Sequence, residues 1–200
     1  RQDAPITLHE VAAAAPALGG TDPRLDHYAG GWATEFTPVH DHLTTGVKLI
    51  EARATTRPNY EAAPYVRFSP DGPVGETAGT VLAAALGGGG NFRIAFERNR
   101  LGHLRTWFGH LPTAADHVLE PGATFTTPTV TWAWSAAGTR PLTHRLHRWT
   151  RAHALRDGDR PRAIVANNWE ATGFGFDQER LARFCDETAE VGAELFLLDD

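Results

Sequence analysis

The sequence predicts a mainly β protein: an N-terminal antiparallel β-sandwich over residues 1–140, a helix and linker over 141–161, and the beginning of an α/β domain over 162–200. Two observations predict this organisation. Short segments rich in Val, Ile, Thr and aromatic residues, separated by turns with Gly and Pro, fill most of the first part. A strand, a helix and a second strand then follow one another, which is the pattern of a βαβ unit.

Five short segments carry the sandwich prediction, and turn clusters such as Ser69-Pro70-Asp71-Gly72 separate them. In one of them Phe92, Ile94 and Phe96 alternate with polar or small residues and would share one face of a strand. Such spacing favours antiparallel sheets packed face to face. The five predicted strands are Val47–Thr55, Tyr65–Ser69, Thr80–Leu86, Phe92–Glu97 and Thr129–Trp134.

The pattern changes at Pro141, where apolar residues begin to recur at intervals of three or four. This period predicts an amphipathic helix from Leu142 to about Leu155. The polar stretch 157–161, with its Gly and Pro, then predicts a linker.

The last part of the chain predicts one βαβ unit. Ala163–Trp169 and Glu194–Leu198 have the composition of short buried strands. Between them, Asp177 is expected to cap a helix that Gly192 ends. Parallel strands of this kind are covered on both faces, and a complete (β/α)₈ barrel needs about 250 residues. The unit is therefore expected to open a larger α/β domain that is incomplete here.

Composition excludes several classes of protein. With 24 acidic and 19 basic residues the net charge is -5, which argues against a general nucleic-acid binder. A single cysteine, Cys185, excludes a disulfide scaffold, and no apolar run is long enough to span a membrane. No signal peptide is visible in residues 1–25, which leaves the compartment open and slightly favours the cytoplasm. Because the sequence has no Met, the numbering is expected to begin inside a longer chain.

Aromatic and acidic residues lie at the carboxyl ends of the two predicted strands of the βαβ unit: Trp169 ends the first, and Asp199 and Asp200 follow the second. Chemistry in α/β folds lies at the carboxyl ends of strands. Neighbouring carboxylates can accept hydrogen bonds from different sugar hydroxyls, and an aromatic ring can stack on a sugar's C–H face. A solvated loop or helix cap would also explain the two aspartates, and core packing would also explain Trp169.

Several motifs resemble glycoside hydrolase family 36, the bacterial-type α-galactosidases. The resemblance covers about Trp32 to Asp200 and is most specific in the βαβ unit, although Gly173-Phe174-Gly175-Phe176 replaces the Tyr-Phe-Asp-Phe of many members. The similar segments are the Asn167-Asn168-Trp169-Glu170-Ala171-Thr172 run, Glu194–Asp200, the threonine-rich Thr124–Pro128, the helical Arg145–Trp149 and the turn Gly89–Phe92.

The resemblance implies a β-sandwich followed by the first βαβ unit of an incomplete (β/α)₈ barrel. It also implies a retaining exo-α-galactosidase, in which Trp169 walls the sugar pocket while Asp199 and Asp200 accept hydrogen bonds from the galactose 4- and 6-hydroxyls. Asn167, Asn168 and Glu170 are then expected to brace the rim of the barrel. The nucleophile and the acid/base are placed beyond Asp200, so no catalytic residue is expected in this chain and the fragment is expected to be inactive alone.

The same resemblance implies a galactoside or oligosaccharide substrate, a homo-oligomer, and no cofactor or metal. Nucleic acid and a membrane are not expected as partners on the composition given above. An α-N-acetylgalactosaminide is the nearest rival substrate and stays open. The alternative from another class is a non-catalytic carbohydrate-binding or structural β-sandwich module. Trp132 and Trp134 would face one side of a strand and could form its sugar-stacking platform, although core packing is favoured.

Three other signals have simpler interpretations. His40-x-His42 and His144-x-x-His147 each bring two histidines to one side of an element, but no third ligand occurs at a recognisable spacing, so solvated polar faces are favoured over a metal site. Gly87–Gly90 lacks the residues of a phosphate-binding loop and predicts a hairpin turn. Trp107-Phe108, in a turn-rich segment, is predicted to be an exposed pair at an oligomer contact.

Overall fold

The computed structural model describes residues 3–53, 61–111 and 117–199, and the chain divides into two compact units, residues 1–148 and 149–200. The strands that precede the first helix are β1 Ile6–Leu8, β2 Val11–Ala14, β3 Ala17–Leu18, β4 Arg24–Ala29, β5 Thr37–His42, β6 Gly46–Ala52, β7 Ala62–Ser69, β8 Val81–Leu86, β9 Phe92–Arg98, β10 Leu104–His110, β11 His117–Leu119 and β12 Val130–Ser135. The remaining elements are α1 Thr139–His153, β13 Val165–Asn167, α2 Trp169–Thr172, α3 Gln178–Glu190 and β14 Leu195–Leu197.

The first unit contains two five-stranded antiparallel sheets. The first sheet has the order β2-β10-β9-β6, with β3 also paired to β10, and the second has the order β12-β8-β7-β4-β5. A separate antiparallel pair joins β1 to β11. This architecture confirms the predicted N-terminal sandwich.

Side chains from both sheets form the main core. Phe92, Ile94 and Phe96 of β9 are all buried, so the predicted alternation of this strand is confirmed. Across the sandwich, the ring of Phe68 on β7 stacks on Phe96 with 6.3 Å between the centroids. A smaller cluster on the second sheet forms where Leu142 of α1 packs against Val81 and Ala83.

Phe108 corrects the prediction that Trp107-Phe108 is an exposed pair. Both residues lie on β10, which pairs with β2 and β9 inside the first sheet. Because alternate residues of a strand point to opposite faces, Phe108 enters the core and is fully buried, while Trp107 on the other face stays partly exposed. The Phe108 ring meets Phe96 and Trp132 edge-on, with centroid distances of 6.1 and 5.0 Å.

Gly87–Gly90 also differs from its prediction. The run connects β8 in the second sheet to β9 in the first, so it crosses between sheets and is not a hairpin turn. Gly88 and Gly90 have φ angles of 91° and 89°, a backbone conformation that residues with a side chain rarely adopt. The glycines therefore allow the backbone conformation of this connection between the two sheets, but a glycine run does not specify which strands it joins.

A polar network links the two sheets at one edge. The carboxylate of Asp41 on β5 accepts a hydrogen bond from Lys48 Nζ of β6 at 2.8 Å and lies 2.9 Å from His27 Nε2 of β4. Burial raises the pKa of Asp41, but the hydrogen bonds and charges of Lys48 and His27 outweigh it and lower the pKa overall. Burial lowers the pKa of His27, the charge of Lys48 adds to this effect, and Asp41 opposes it.

His27 is expected to make folding stability depend on pH between about 5 and 7.5. The folded-state pKa lies below the unfolded value of 6.5, so the unfolded chain binds the proton first as the pH falls and stability decreases below that value. Protonated Nδ1 has no acceptor among the described residues. Urea midpoints of the chain should therefore be lower at pH 5 than at pH 7.5.

The variant His27→Gln keeps a donor for Asp41 but cannot titrate, and it should flatten this pH dependence. The matched control is His144→Gln, because His144 is exposed on α1. An unchanged pH dependence in His27→Gln would contradict the assignment to His27.

The second unit confirms the predicted βαβ order. β13 and β14 pair in parallel, and the Asp177 side chain caps α3 by accepting a hydrogen bond from Arg180 N at 2.8 Å. The prediction that the two strands are buried is wrong for several of their side chains, including Val165, which is 52% exposed, and Leu195, which is 56% exposed. In the part of the chain that the structure describes, no helix has the length and hydropathy needed to cross a membrane.

Candidate functional site

The candidate site lies at the carboxyl ends of β13 and β14. Asn167, the last residue of β13, is paired in register with Leu197, the last residue of β14. Because the strands are parallel, the residues that follow each of them emerge at the same edge. These residues include Trp169 after β13 and Asp199 after β14, whereas Asp200 lies outside the described residues.

Trp169 begins α2, which corrects the prediction that the strand continues to this residue. Asn167 ends the strand, and its Oδ1 accepts a hydrogen bond from Trp169 N at 2.7 Å, which turns the chain into the helix. The indole is partly exposed and meets the ring of Phe174 edge-on at 4.7 Å. Phe174 is itself 78% exposed, so the two rings form an apolar wall with solvent access rather than part of a closed core.

Asp199 is partly buried and held at two points. Its backbone N–H donates to Asn168 Oδ1 at 2.7 Å, and its Oδ2 accepts a hydrogen bond from Asn167 Nδ2 at 2.9 Å. Within residues 3–53, 61–111 and 117–199, no hydrogen bond to Asp199 Oδ1 is formed. One carboxylate oxygen is therefore fixed by the protein, and the other can accept a hydrogen bond from a ligand.

Asn168 is the fully buried residue of this edge. Its Nδ2 donates to Thr172 Oγ1 at 3.0 Å, and its backbone N donates to Leu197 O at 3.3 Å. Asn168 thus ties β13, α2 and the chain after β14 together. A polar residue at the end of an apolar strand is the signal that identifies it, because a buried amide needs partners for both its donor and its acceptor.

The loop after α2 is fixed by Arg180 of α3. Its guanidinium donates to the carbonyl oxygen of Gly175, and Nη2 donates to Ala171 O at 3.2 Å. This loop contains the Gly173–Phe176 segment in which the sequence departs from the Tyr-Phe-Asp-Phe pattern. The segment that departs from the pattern is therefore in contact with Trp169, because the ring of Phe174 packs against the indole.

The paired histidines of β5 are bound to two different carboxylates on the outer side of the second sheet. His40 Nδ1 lies 2.6 Å from Asp26 Oδ1, and His42 Nε2 lies 3.0 Å from Asp22 Oδ1. A cavity of about 510 Å³ is lined in part by these histidines and by Arg24 and Arg67, which also pair with Asp22 and Asp26. Among the described residues, no cluster of three His, Cys, Asp or Glu side chains has the geometry of a metal site.

Trp132 and Trp134 have different surroundings. Trp132 meets the buried Phe108 edge-on, so one side of its ring packs against the core, although the residue is 38% exposed. Trp134 is 58% exposed, so the packing prediction is wrong for this residue, and the guanidinium of Arg145 lies 5.7 Å from the ring centroid. The guanidinium thus covers one face of the Trp134 ring.

An antiparallel sandwich is followed along the chain by a βαβ unit with a tryptophan and a carboxylate at its strand ends. This arrangement is compatible with a glycoside hydrolase, and comparison with known proteins identifies the family. Residues 1–120 match the family model described as the glycosyl hydrolase family 36 N-terminal domain, and residues 124–200 match the model described as Melibiase. The chain belongs to glycosyl hydrolase family 36.

Similar proteins include the α-galactosidase AgaA of Geobacillus stearothermophilus, which is 31% identical over 87% of this chain and 24% of its own length. The α-galactosidase Mel36A of Lactobacillus acidophilus is 27% identical over 98% of the chain and 27% of its own length. The crystal structure of AgaA superimposes with a TM-score of 0.88 over 98% of the chain at 29% identity, and a variant of AgaA has been crystallised with stachyose. The chain thus spans about a quarter of the length of these relatives.

Proposed function

We propose that the full-length protein is a retaining exo-α-galactosidase that removes terminal α-galactosyl residues from galactosides. In this proposal residues 1–140 form the sandwich, 141–161 the connecting helix and linker, and 162–200 the beginning of a (β/α)₈ catalytic barrel. Membership of family 36 and the α-galactosidase relatives support the reaction. The stachyose bound to the AgaA variant supports an oligosaccharide substrate.

The observation that carries the proposal is the Asp199 carboxylate, in which one oxygen is held by Asn167, the residue that also bonds to Trp169 N. Asp199 Oδ2 is held by Asn167, and Oδ1 can accept a charge-assisted hydrogen bond from a sugar hydroxyl. The wall formed by Trp169 and Phe174 offers an apolar surface for the C–H face of the same sugar. Asp200 is proposed to accept a hydrogen bond from a second hydroxyl.

In this mechanism the described residues bind and orient the sugar, while the bond-breaking groups lie on later strands of the barrel. A retaining glycosidase needs one carboxylate as nucleophile and a second as acid/base, about 5–5.5 Å apart. We propose that both lie beyond Asp200, as the resemblance implies. A carboxylate that grips a hydroxyl also selects the substrate, because an epimer with that hydroxyl elsewhere leaves the carboxylate without a partner.

The exposed strands of the second unit agree with this arrangement. Ile164, Leu195 and Leu197 are at least half exposed, although side chains of this type are buried when parallel strands have neighbours on both sides and helices on both faces. We propose that further βα units of the same barrel cover them. Assembly as a homo-oligomer belongs to the same proposal and is tested by the molar mass of the full-length protein in solution.

The full-length protein should hydrolyse p-nitrophenyl α-galactoside, and proton NMR should detect α-galactose as the first anomer released. The 200-residue chain alone should release no nitrophenol, because it lacks both catalytic carboxylates in this proposal. The β-galactoside serves as the negative control, and the α-N-acetylgalactosaminide tests the rival substrate.

Each outcome of this assay decides between named alternatives. Release of the β anomer would exclude retention, and turnover by the isolated chain would place catalytic groups within it. Binding of galactose by the full-length protein without hydrolysis of any of the glycosides would support the carbohydrate-binding module instead.

A further inference from the structure

Two neighbouring asparagines connect the tryptophan and the aspartate of the candidate site. The Asn167 amide accepts from Trp169 N through Oδ1 at 2.7 Å and donates to Asp199 Oδ2 through Nδ2 at 2.9 Å. The Asn168 amide accepts from Asp199 N through Oδ1 at 2.7 Å and donates to Thr172 Oγ1 at 3.0 Å. Each amide therefore spans from α2 to Asp199.

The two amides hold different parts of Asp199. Asn168 is fully buried and bonds to the backbone N–H, so it fixes where the main chain after β14 leaves the strand. Asn167 is exposed and bonds to the carboxylate, so it fixes the rotation of that group about its last torsion. This torsion is broad and soft in aspartate, and one well-placed donor is enough to set it.

We propose that Asn167 is a positioning residue that orients the Asp199 carboxylate toward the sugar and couples its orientation to the position of Trp169. The inference rests on the proposed function of this site, and it assigns a role to a residue that need not touch the sugar. With Oδ2 held by Asn167, Oδ1 is turned away from the amide and is presented to a substrate hydroxyl. The same amide also accepts a hydrogen bond from Trp169 N, so the Trp169 ring and the Asp199 carboxylate are both positioned by Asn167.

The Asn167 amide makes both bonds because its oxygen accepts from one partner while its nitrogen donates to the other, which an ionised carboxylate cannot do. The variant Asn167→Asp separates the two roles. A carboxylate at 167 still accepts from Trp169 N, but it cannot donate to Asp199 and places a second negative charge beside it. Two carboxylates at hydrogen-bond distance repel when both are ionised, and they share one proton readily at acidic pH.

In the full-length protein, Asn167→Asp should lower kcat/KM for p-nitrophenyl α-galactoside about ten- to a hundredfold at pH 7.5, mainly through KM. At pH 5 a shared proton restores the hydrogen bond, so most of the loss should disappear relative to the wild type. If Asn167 served only to accept the hydrogen bond from Trp169 N at the start of α2, Asn167→Asp would not produce this pH dependence, because a carboxylate at 167 still accepts that bond.

The substitution leaves the other charged groups near the site as they are. Arg180 of α3 donates to the carbonyl oxygens of Gly175 and Ala171. Glu170 lies in α2, and Glu194 lies at the opposite end of β14, where its Oε2 accepts a hydrogen bond from Ile164 N at 2.9 Å. Asp200 follows Asp199 directly and lies outside the described residues.

The matched control is Asn99→Asp in the turn between β9 and β10, where Asn99 Oδ1 likewise accepts from a backbone N–H, that of Leu101, at 2.9 Å. It should leave the pH profile unchanged.

A crystal structure of Asn167→Asp at pH 7.5 tests the positioning without any substrate. The Asp199 carboxylate should be rotated away from residue 167 at pH 7.5 and return at pH 5. An unrotated carboxylate, or a kcat/KM equal to that of the wild type at both pH values, would overturn the inference while leaving the proposed function intact. Absence of α-galactosidase activity in the wild type would overturn the proposed function, and the crystal structure would still decide the inference.

If Asn167→Asp does not fold, Asn167→Ser provides the test. Serine keeps a short acceptor at the N-terminus of α2 but cannot reach Asp199 as the amide does. A tenfold or greater loss of kcat/KM, with no recovery at pH 5, is expected. Wild-type kcat/KM in this variant would overturn the inference.

Discussion

Replacing Asp199 with Asn in the full-length protein is expected to lower kcat/KM for an aryl α-galactoside by about ten- to a hundredfold. The substitution removes the negative charge from Oδ1, the oxygen that has no hydrogen bond in the described part of the chain, and so weakens the bond that we propose it makes to a sugar hydroxyl. A hydrogen bond to a charged group contributes about 1.5–3 kcal/mol, which corresponds to this range of rates when the bond is present in the transition state.

The Asp199→Asn variant should keep its fold, because an asparagine oxygen still accepts from Asn167 Nδ2 and the backbone bond to Asn168 is unchanged. Asp186→Asn is the matched control, since Asp186 is exposed on α3. The measurement is kcat and KM for p-nitrophenyl α-galactoside, with thermal unfolding to compare stability. Near wild-type kcat/KM in Asp199→Asn would remove this residue from the sugar site.

Some parts of the fold could be predicted from the sequence because local pattern and burial agree there. The alternation of Phe92, Ile94 and Phe96 gives both the strand and its core face, and Asp177 gives the start of α3. In contrast, β2 and β3 are Ala-rich and carry little intrinsic strand preference. They are strands because each pairs with β10, a contact between residues far apart in sequence that no local pattern encodes.

The candidate site shows the same division. The positions of Trp169 and Asp199 at one edge follow from a parallel βαβ unit, which the sequence predicts. The hydrogen bonds that hold Asp199 depend on the register that places Asn167 opposite Leu197, and register is fixed only when the strands pair. Asn167 and Asn168 could therefore be predicted as rim residues, whereas the division of their roles required the structure.

Phe108→Ala is expected to reduce the free energy of unfolding of the sandwich by about 3–5 kcal/mol, the usual loss when a fully buried phenylalanine is truncated. Phe108 is fully buried, and its ring contacts both Phe96 and Trp132, so its removal leaves a cavity between two further aromatic rings. Small domains have total stabilities of about 5–15 kcal/mol. The loss therefore represents a large fraction of the stability of this unit.

Urea unfolding of the 200-residue chain, followed by the far-UV signal of its strands, measures this effect. Phe108→Leu should lose much less stability, because leucine fills most of the same volume with apolar atoms. Leu49→Ala is the surface control, since Leu49 on β6 is 46% exposed and its truncation leaves no enclosed cavity. If Phe108→Ala cost no more than Leu49→Ala, Phe108 would not be a core residue, and the earlier prediction of an exposed Trp107-Phe108 pair would regain support. The expected order of losses, largest in Phe108→Ala and smallest in Leu49→Ala, follows from the side of the sheet on which each residue lies.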